Sequence, residues 1–266
     1  MLESTSSVSS PVKCEAAEGW HNANWDQTRD RLVKGATYRD CSTVCVVPTK
    51  DGYLHDRVRH AVNGLIKPPN QAYTEIPVPV QTPLQTDSFA LWRMTDFEVG
   101  DAYNAAINGI LADPNLSKWK FLLTIEHDNL PPPDGLMKLI ESMYNSPYAA
   151  ISGLYYTKGF EGCPQIWGDP SQTPINYAPQ WPKEDTLQEC RGIGMGFAIW
   201  DMNLFKDERL KSPWFETKAE YEFGKGAQVG TQDLVFAGKA TKFGYRFAVD
   251  TRVRVGHMDL QSGMVW

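Results

Sequence analysis

The sequence lacks any apolar run that approaches the roughly 18 to 20 residues needed for a membrane-spanning helix. It also lacks the charged-then-apolar pattern of a secretory leader, because residues 1–11 are rich in serine instead. The five cysteines are odd in number and irregularly spaced, so they offer no disulfide framework and favour a reducing compartment. Together these absences predict a soluble, cytoplasmic protein.

Positive charge is also scarce. The chain has 26 Lys and Arg residues against 32 Asp and Glu residues, which gives a formal net charge of −6. A protein that binds nucleic acid along its backbone needs a broad basic surface to replace the phosphate counterions. We therefore expect no broad nucleic-acid surface, and any polyanionic ligand would need a metal ion or a local cluster of basic residues.

The chain has enough length and apolar content for one large domain, with 266 residues of which 42% are hydrophobic. Its first half alternates short apolar runs with amphipathic segments, the rhythm of an α/β protein with a mostly parallel sheet and helices on both faces. The predicted strands there span residues 42–48, 73–80 and 119–125, and the predicted helices span residues 56–66, 99–111 and 134–143. Ligands of such sheets bind at the carboxyl ends of the strands.

The second half is less regular. A long loop is predicted over residues 160–183, rich in proline, glycine and tryptophan. The other predicted elements are strands over residues 149–156, 245–249 and 252–255, an extended segment over residues 192–200, and a helix from Thr231 to about Gly244.

Two carboxylates follow the predicted strand at residues 119–125. In an extended chain Glu126 and Asp128 point to one side and His127 to the other. Two carboxylates aimed at one point repel each other unless a cation lies between them, so the pair suggests a divalent metal ion with a diphosphate as its other ligand. An ordinary solvated strand end is the alternative. The prolines at 131–133 favour the site, because they stiffen the loop that holds it.

A late histidine could complete this site. His257 follows the predicted strand that ends at Val255, and a neutral imidazole beside two carboxylates suits Mn²⁺ or Mg²⁺. An ordinary surface histidine is the alternative.

Asp233 falls in the first turn of the helix predicted to begin at Thr231, where the helix dipole stabilises a carboxylate. The local sequence supports a capping role and a general-base role for Asp233 equally.

Three glycines, Gly192, Gly194 and Gly196, superficially match a dinucleotide-binding fingerprint. That interpretation fails, because Phe197–Trp200 stands where a helix should follow. We expect instead that these glycines let an acceptor or a sugar approach the backbone.

Taken in order, five segments resemble the GT-A glycosyltransferases, most closely the family 2-like members. Residues 46–49 resemble the first strand and its nucleotide-contacting turn, and residues 125–128 are similar to the Asp-x-Asp motif with Glu126 in place of the first Asp. Residues 194–200 resemble the segment before the acceptor-side helix, residues 231–233 the Thr-Glu-Asp motif, and residues 255–257 the late metal histidine.

The resemblance implies a single GT-A-type domain over residues 39–266, with a nucleotide-binding half at 39–135 and an acceptor half at 136–266. Residues 1–38 would then be a partly disordered extension. Asp128 and His257 would bind the metal ion, and Glu126 would bind the ribose or reach the metal through water. Asp233 would deprotonate the acceptor. The residues expected to contact the nucleotide sugar or its metal are Pro48, Thr49, Asp51, Arg93, Glu126 and Asp128.

The implied activity is the metal-dependent transfer of a sugar from a UDP- or GDP-linked donor to an acceptor hydroxyl, by inversion. Gln232 replaces an acidic residue of the motif, and retaining relatives also end in a Gly-His ligand, so retention stays open. The acceptor could be a glycan, a protein, a metabolite or a modified base. The alternatives are a metal-dependent phosphodiesterase or nuclease and a non-catalytic carbohydrate-binding module. Further candidates are Lys158 at the phosphates and, for stacking, Tyr155, Tyr156, Trp167 and Trp181.

Overall fold

The computed structural model describes residues 40–50, 52–67, 73–76, 89–159, 162–222 and 226–266. The predicted extension at residues 1–38 and the candidate Asp51 therefore lie outside the described residues. Within the described ranges, no helix is both long enough and apolar enough to cross a membrane.

The secondary structure alternates strands and helices in the first half and is strand-rich in the second. The strands are β1 (Thr43–Thr49), β2 (Tyr73–Ile76), β3 (Phe89–Thr95), β4 (Phe121–Ile125), β5 (Asn129–Leu130), β6 (Ala150–Leu154), β7 (Ile166–Trp167), β8 (Leu187–Cys190), β9 (Gly192–Ile193), β10 (Phe197–Asp201), β11 (Lys218–Glu222), β12 (Gly226–Gly230), β13 (Phe247–Arg254) and β14 (Gly256–His257). The helices are α1 (Asp56–Asn63), α2 (Val99–Ala112), α3 (Gly135–Tyr144), α4 (Asn203–Lys206) and α5 (Gln232–Thr241).

Eight of these strands form one central sheet in the order β2-β3-β1-β4-β10-β6-β13-β8. The first four are parallel to each other, and β6 is parallel to β13. The strand β10 runs antiparallel between β4 and β6, and β8 runs antiparallel along β13. The predicted α/β class with a mostly parallel central sheet is confirmed.

The sheet is covered by helices on both faces. Successive residues of a strand point to opposite faces, so Val44 and Val46 of β1 lie in one buried cluster with residues of α2 and α5, whereas Cys45 and Val47 lie in another with residues of α1 and α3. Every residue of β1 is buried, as expected of a strand with no solvent-facing side. The predicted arrangement of helices on both faces is correct.

Two predictions of local structure need correction. The strand β3 was not predicted, because Ala90, Leu91 and Met94 favour helices and Arg93 interrupts its apolar run. The two strands predicted at 245–249 and 252–255 are the single strand β13, whose register shifts after Asp250. The buried Asp250 resembles a turn residue in the sequence, but its carboxylate is paired with Arg252 at 2.7 Å.

Candidate active site

The turn Glu126–Asp128 leaves the sheet at the carboxyl end of β4, which ends at Ile125. The amide of Glu126 donates to the carbonyl of Gly196 at 3.2 Å, and the amide of Asn129 donates to the carbonyl of Glu126 at 3.1 Å. These bonds fix the turn from both sides. Because the segment is a turn and not a strand, the alternation expected to aim both carboxylates to one side does not apply to it.

The late histidine lies beside this turn. The short strand β14 pairs antiparallel with β5, which places Gly256 opposite Leu130 and His257 opposite Asn129. The amide of Met258 extends the pairing by donating to the carbonyl of Asp128 at 2.8 Å. The proximity of His257 to the acidic turn, expected from the sequence, is thus produced by backbone pairing between distant parts of the chain.

The imidazole of His257 is oriented at both nitrogens. Its Nε2 lies 3.4 Å from Oδ2 of Asp128, and its Nδ1 lies 2.7 Å from the carbonyl of Tyr156. A carbonyl only accepts, so Nδ1 carries a proton, and in the neutral ring the lone pair of Nε2 faces Asp128. Burial lowers the pKa of His257, but the hydrogen bonds to Asp128 and Tyr156 and the charge of Asp128 outweigh it and raise the pKa above its ordinary value.

Asp128 also binds a lysine. The Nζ atom of Lys158 lies 2.5 Å from the same Oδ2 that faces His257. Burial works against ionisation of Asp128, but the hydrogen bonds and positive charge of His257 and Lys158 outweigh it and hold its pKa well below the usual range. Asp128 is therefore a buried carboxylate that ionises more readily than usual and contacts a cation.

The pKa of Glu126 is shifted in the opposite direction from that of Asp128. Its side chain is partly buried and accepts no hydrogen bond from the described residues. Burial and the negative charges of Asp128 and Asp233 raise the pKa of Glu126 to about 7, only partly offset by His257 and Lys158. Because these charges act on one carboxylate, Asp233 and the turn Glu126–Asp128 belong to one electrostatic site.

Asp233 lies in the first turn of α5, as predicted. The Thr231 hydroxyl hydrogen-bonds its carboxylate, and the amide of Leu234 donates to its Oδ1 at 2.8 Å. Burial raises the pKa of Asp233 above its ordinary value against these bonds. Asp233 therefore accepts an amide of the first turn of α5, and its general-base role stays a prediction.

Two of the three expected metal ligands, Asp128 and His257, lie close together. Among the residues that the structure describes, no group of three or more His, Cys, Asp or Glu side chains is arranged to hold a metal ion, and the role of Glu126 stays a prediction. Neighbouring ligands of an octahedral ion at roughly 2.1 Å lie about 3 Å apart, close to the observed 3.4 Å. In its neutral form His257 offers an unprotonated Nε2, and this nitrogen and the ionised Asp128 are donor types that Mn²⁺ and Mg²⁺ accept.

The other candidates are distributed around this edge. The strand β1 lies next to β4, and their pairing stops at Val46 and Thr124, so Pro48 and Thr49 continue towards the edge from which Glu126 emerges. Arg93 lies opposite Val47 in β3, with β1 between it and β4. Of the stacking candidates, the side chain of Trp181 is 77% exposed.

The glycines before β10 do not have the expected role. A Cβ atom on Gly194 would lie 2.0 Å from the hydroxyl of Tyr155, and one on Gly196 would lie 2.7 Å from Oδ1 of Asn129. The hydroxyl of Tyr155 also accepts the amide of Gly196 at 2.9 Å. The space beside both glycines is therefore filled by the protein's own side chains, and the expectation that a sugar or acceptor approaches there was wrong.

Two further residues of this region were not predicted from the sequence. The Tyr103 hydroxyl and both amide atoms of Asn129 are buried and have no hydrogen-bond partner among the described residues. Burial raises the pKa of Tyr103, and the charge of Glu126 raises it further, which places this tyrosine next to the site. No sequence signal marks Tyr103, because it lies on the apolar face of α2 like any core aromatic residue.

The architecture is the GT-A fold of glycosyltransferases. The chain is similar to the crystal structure of A197 from STIV, with a TM-score of 0.53 and 14% sequence identity over 84% of this chain and 92% of that one. It is also similar to a crystal structure of GalNAc-T7 with UDP, GalNAc and Mn²⁺, with a TM-score of 0.51 and 11% identity over 82% of this chain. The match spans only 44% of the GalNAc-T7 chain. No protein-family model and no curated protein sequence matches this chain.

Proposed function

We propose that this protein transfers a sugar from a nucleoside-diphosphate sugar to an acceptor hydroxyl with the help of Mn²⁺ or Mg²⁺. The observation that carries the proposal is the contact of Asp128 with His257 at the carboxyl end of β4, with Asp233 acting electrostatically on the same site. The GalNAc-T7 structure, which has a similar fold, holds UDP, GalNAc and Mn²⁺ and supports this choice of donor and metal.

Asp128 and Nε2 of His257 would hold the metal ion, and the Tyr156 carbonyl would keep the imidazole in the tautomer that binds metals. A bound divalent ion neutralises charge on a leaving diphosphate, and about 4 kcal/mol of such stabilisation gives roughly a thousandfold in rate. Pro48, Thr49 and Arg93 are proposed to contact the donor along the β1 and β3 side of the site. Glu126, with its raised pKa, is proposed to bind a ribose hydroxyl.

Asp233 is the proposed general base. The acceptor oxygen forms a bond to the anomeric carbon of the sugar, the bond from that carbon to the diphosphate oxygen breaks, and its electron pair leaves with the diphosphate. The acceptor proton passes to the carboxylate of Asp233, which the Thr231 hydroxyl and the Leu234 amide hold in place. A direct displacement of this kind inverts the anomeric centre.

The rival enzyme class is less well supported by the site. Metal-dependent phosphodiesterases and nucleases commonly use two ions about 3.5 to 4 Å apart, which needs more ligands than Asp128 and His257 supply. A carbohydrate-binding module would need neither a general base nor a metal-bound diphosphate. We therefore favour glycosyl transfer over both.

Thermal unfolding of the purified protein with UDP- and GDP-sugars and Mn²⁺ tests the proposal. A ligand at about 100 times its dissociation constant adds about 2.7 kcal/mol of stability. We expect one nucleotide class to stabilise the protein and to be hydrolysed slowly, both only with Mn²⁺ or Mg²⁺. Asp128→Asn should abolish both effects, and Asp56→Asn, at an exposed carboxylate of α1, should abolish neither. Absence of any metal-dependent nucleotide-sugar binding would refute the proposal.

A further inference from the structure

A positive side chain already binds the oxygen of Asp128 that faces His257. Nζ of Lys158 lies 2.5 Å from Oδ2 of Asp128, and Nε2 of His257 lies 3.4 Å from the same oxygen. A divalent ion bound to that oxygen would stand at roughly 2.1 Å from it. An ammonium and a divalent ion that close to one atom repel each other strongly at the low effective dielectric of a buried site. Lys158 and the metal ion therefore compete for Asp128.

The surroundings of Lys158 allow its side chain to leave while its backbone stays. The neighbouring Thr157 is tied to Cys163 by two hydrogen bonds, from the amide of Thr157 to the Cys163 carbonyl at 2.9 Å and from the amide of Cys163 to the Thr157 hydroxyl at 2.8 Å. The Lys158 side chain is 35% exposed on a flexible four-carbon stem. Among the described residues other than its chain neighbours, none has an atom within 4 Å of the position that a Cβ would take on Gly159.

We propose that Lys158 is an internal counter-ion that holds Asp128 in the metal-free protein and moves to the diphosphate when metal and donor bind. This inference rests on the proposed function, because it takes the diphosphate as the group that receives the ammonium. A lysine is a strong point-charge ligand for phosphate oxygens, so the displaced cation finds a partner of the same chemical kind. Lys158 is thus a donor-binding residue as well as a competitor of the metal.

The exchange makes metal and donor binding cooperative. Without a diphosphate, the metal ion must displace Lys158 into water, and its affinity is reduced. With a diphosphate present, the displaced ammonium gains a new ion pair, so the donor raises the affinity for the metal, and by linkage the metal raises the affinity for the donor by the same factor. A permanent ion pair between Lys158 and Asp128 would leave only the coupling that comes from direct contact between the metal ion and the diphosphate.

The first measurement is the binding of Mn²⁺ to the nucleotide-free full-length protein, followed by the electron paramagnetic resonance signal of free Mn²⁺. Lys158→Met removes the competing charge and should bind Mn²⁺ about tenfold more tightly than the wild type, since a hydrogen bond to a charged group is lost from the metal-free state. Lys158→Arg keeps the charge and should stay near the wild type. Lys118→Met removes an exposed lysine ahead of the opposite end of β4 and controls for net charge.

The second measurement is calorimetric titration of UDP and of GDP at saturating Mn²⁺. Lys158→Met should bind the preferred nucleotide about tenfold more weakly than the wild type, while Lys118→Met should not differ. Circular dichroism melting of each variant checks that the fold is retained. The two titrations thus predict shifts of opposite sign for a single substitution, which general damage to the site cannot produce.

Two results would overturn the inference. If Lys158→Met binds Mn²⁺ no more tightly than the wild type, Lys158 does not compete with the metal. If its nucleotide affinity is unchanged, the ammonium does not move to the diphosphate. Failure of the wild type to bind UDP or GDP at saturating Mn²⁺ would instead refute the proposed function together with the second step, and the nucleotide-free Mn²⁺ titration would still decide the first.

Discussion

Replacing Glu126 by Gln should stabilise the metal-free protein at alkaline pH and do little at acidic pH. Burial and the negative charges of Asp128 and Asp233 raise the pKa of Glu126 from its ordinary value of 4.5 to about 7. A carboxylate with a raised pKa in the folded state costs stability once it ionises, so the cost grows as pH rises from about 4.5 to 7. Gln has nearly the same shape and no charge to ionise.

The size of the effect follows from the two pKa values. A difference of one in pKa between the folded and unfolded states corresponds to about 1.36 kcal/mol. Ionisation of Glu126 therefore lowers the free energy of unfolding by about 0.8 kcal/mol near pH 5 and about 3.3 kcal/mol near pH 8. The difference, about 2.5 kcal/mol, is an upper figure, because the side chain is only partly buried and water reduces the penalty. We expect the stability gain of Glu126→Gln to increase by about 1 to 2 kcal/mol between these two pH values.

Urea unfolding of both proteins near pH 5 and near pH 8, in the presence of a chelator, measures this change. Comparing the gain at two pH values removes contributions that do not depend on ionisation, such as altered packing. Glu208→Gln, at an exposed carboxylate, supplies the background. A gain that is equal at both pH values, or that is larger near pH 5, would show that Glu126 is not held in the desolvated, negatively charged environment described above.

Three other perturbations test separate parts of the site. Asp233→Asn should leave Mn²⁺ and nucleotide binding intact and lower the transfer rate at least about a hundredfold, and a full rate in a coupled diphosphate-release assay would exclude it as the base. His257→Gln should cost more stability near pH 5.5 than near pH 9 in urea unfolding, because a raised histidine pKa contributes stability that is lost as pH rises through it; an equal cost at both would contradict the contact with Asp128. Gly196→Ala should destabilise by about 1 to 3 kcal/mol through overlap with Asn129 and Tyr155, and more than Gly244→Ala, where only a φ of +88° opposes a side chain. Equal losses for the two alanine variants would argue against close packing at Gly196.

The sequence was most informative where a periodic pattern ended in polar residues. The apolar run before Glu126 and the predicted strand before His257 each indicated where a strand ends. Glu126 and His257 both lie at one edge of the sheet in the structure. The strand β3 was not predicted, because its buried environment overrides the helical preference of several of its residues.

Side-chain pairing was not predictable in the same way. Nothing near Lys158 in the sequence indicates that its ammonium binds Asp128, since that contact depends on how the chain leaves β6. Likewise, the space beside Gly194 and Gly196 looked available to a ligand until Tyr155 and Asn129 were seen to fill it. Contacts of this kind depend on tertiary packing, which local sequence does not encode.

The two-stranded ribbon of β5 and β14 pairs Asn129 and Leu130 with His257 and Gly256. Its residue His257 is one of the two proposed metal ligands. So short a ladder can come apart while the eight-stranded sheet beneath it stays folded, since small, weakly bonded units open at free energies far below that of global unfolding. A cation bound by His257 of β14 and by Asp128, which directly precedes β5, would link the two strands. Amide hydrogens of Asn129 and Met258 would then exchange with solvent more slowly in manganese than in chelator, with the sheet interior unaffected.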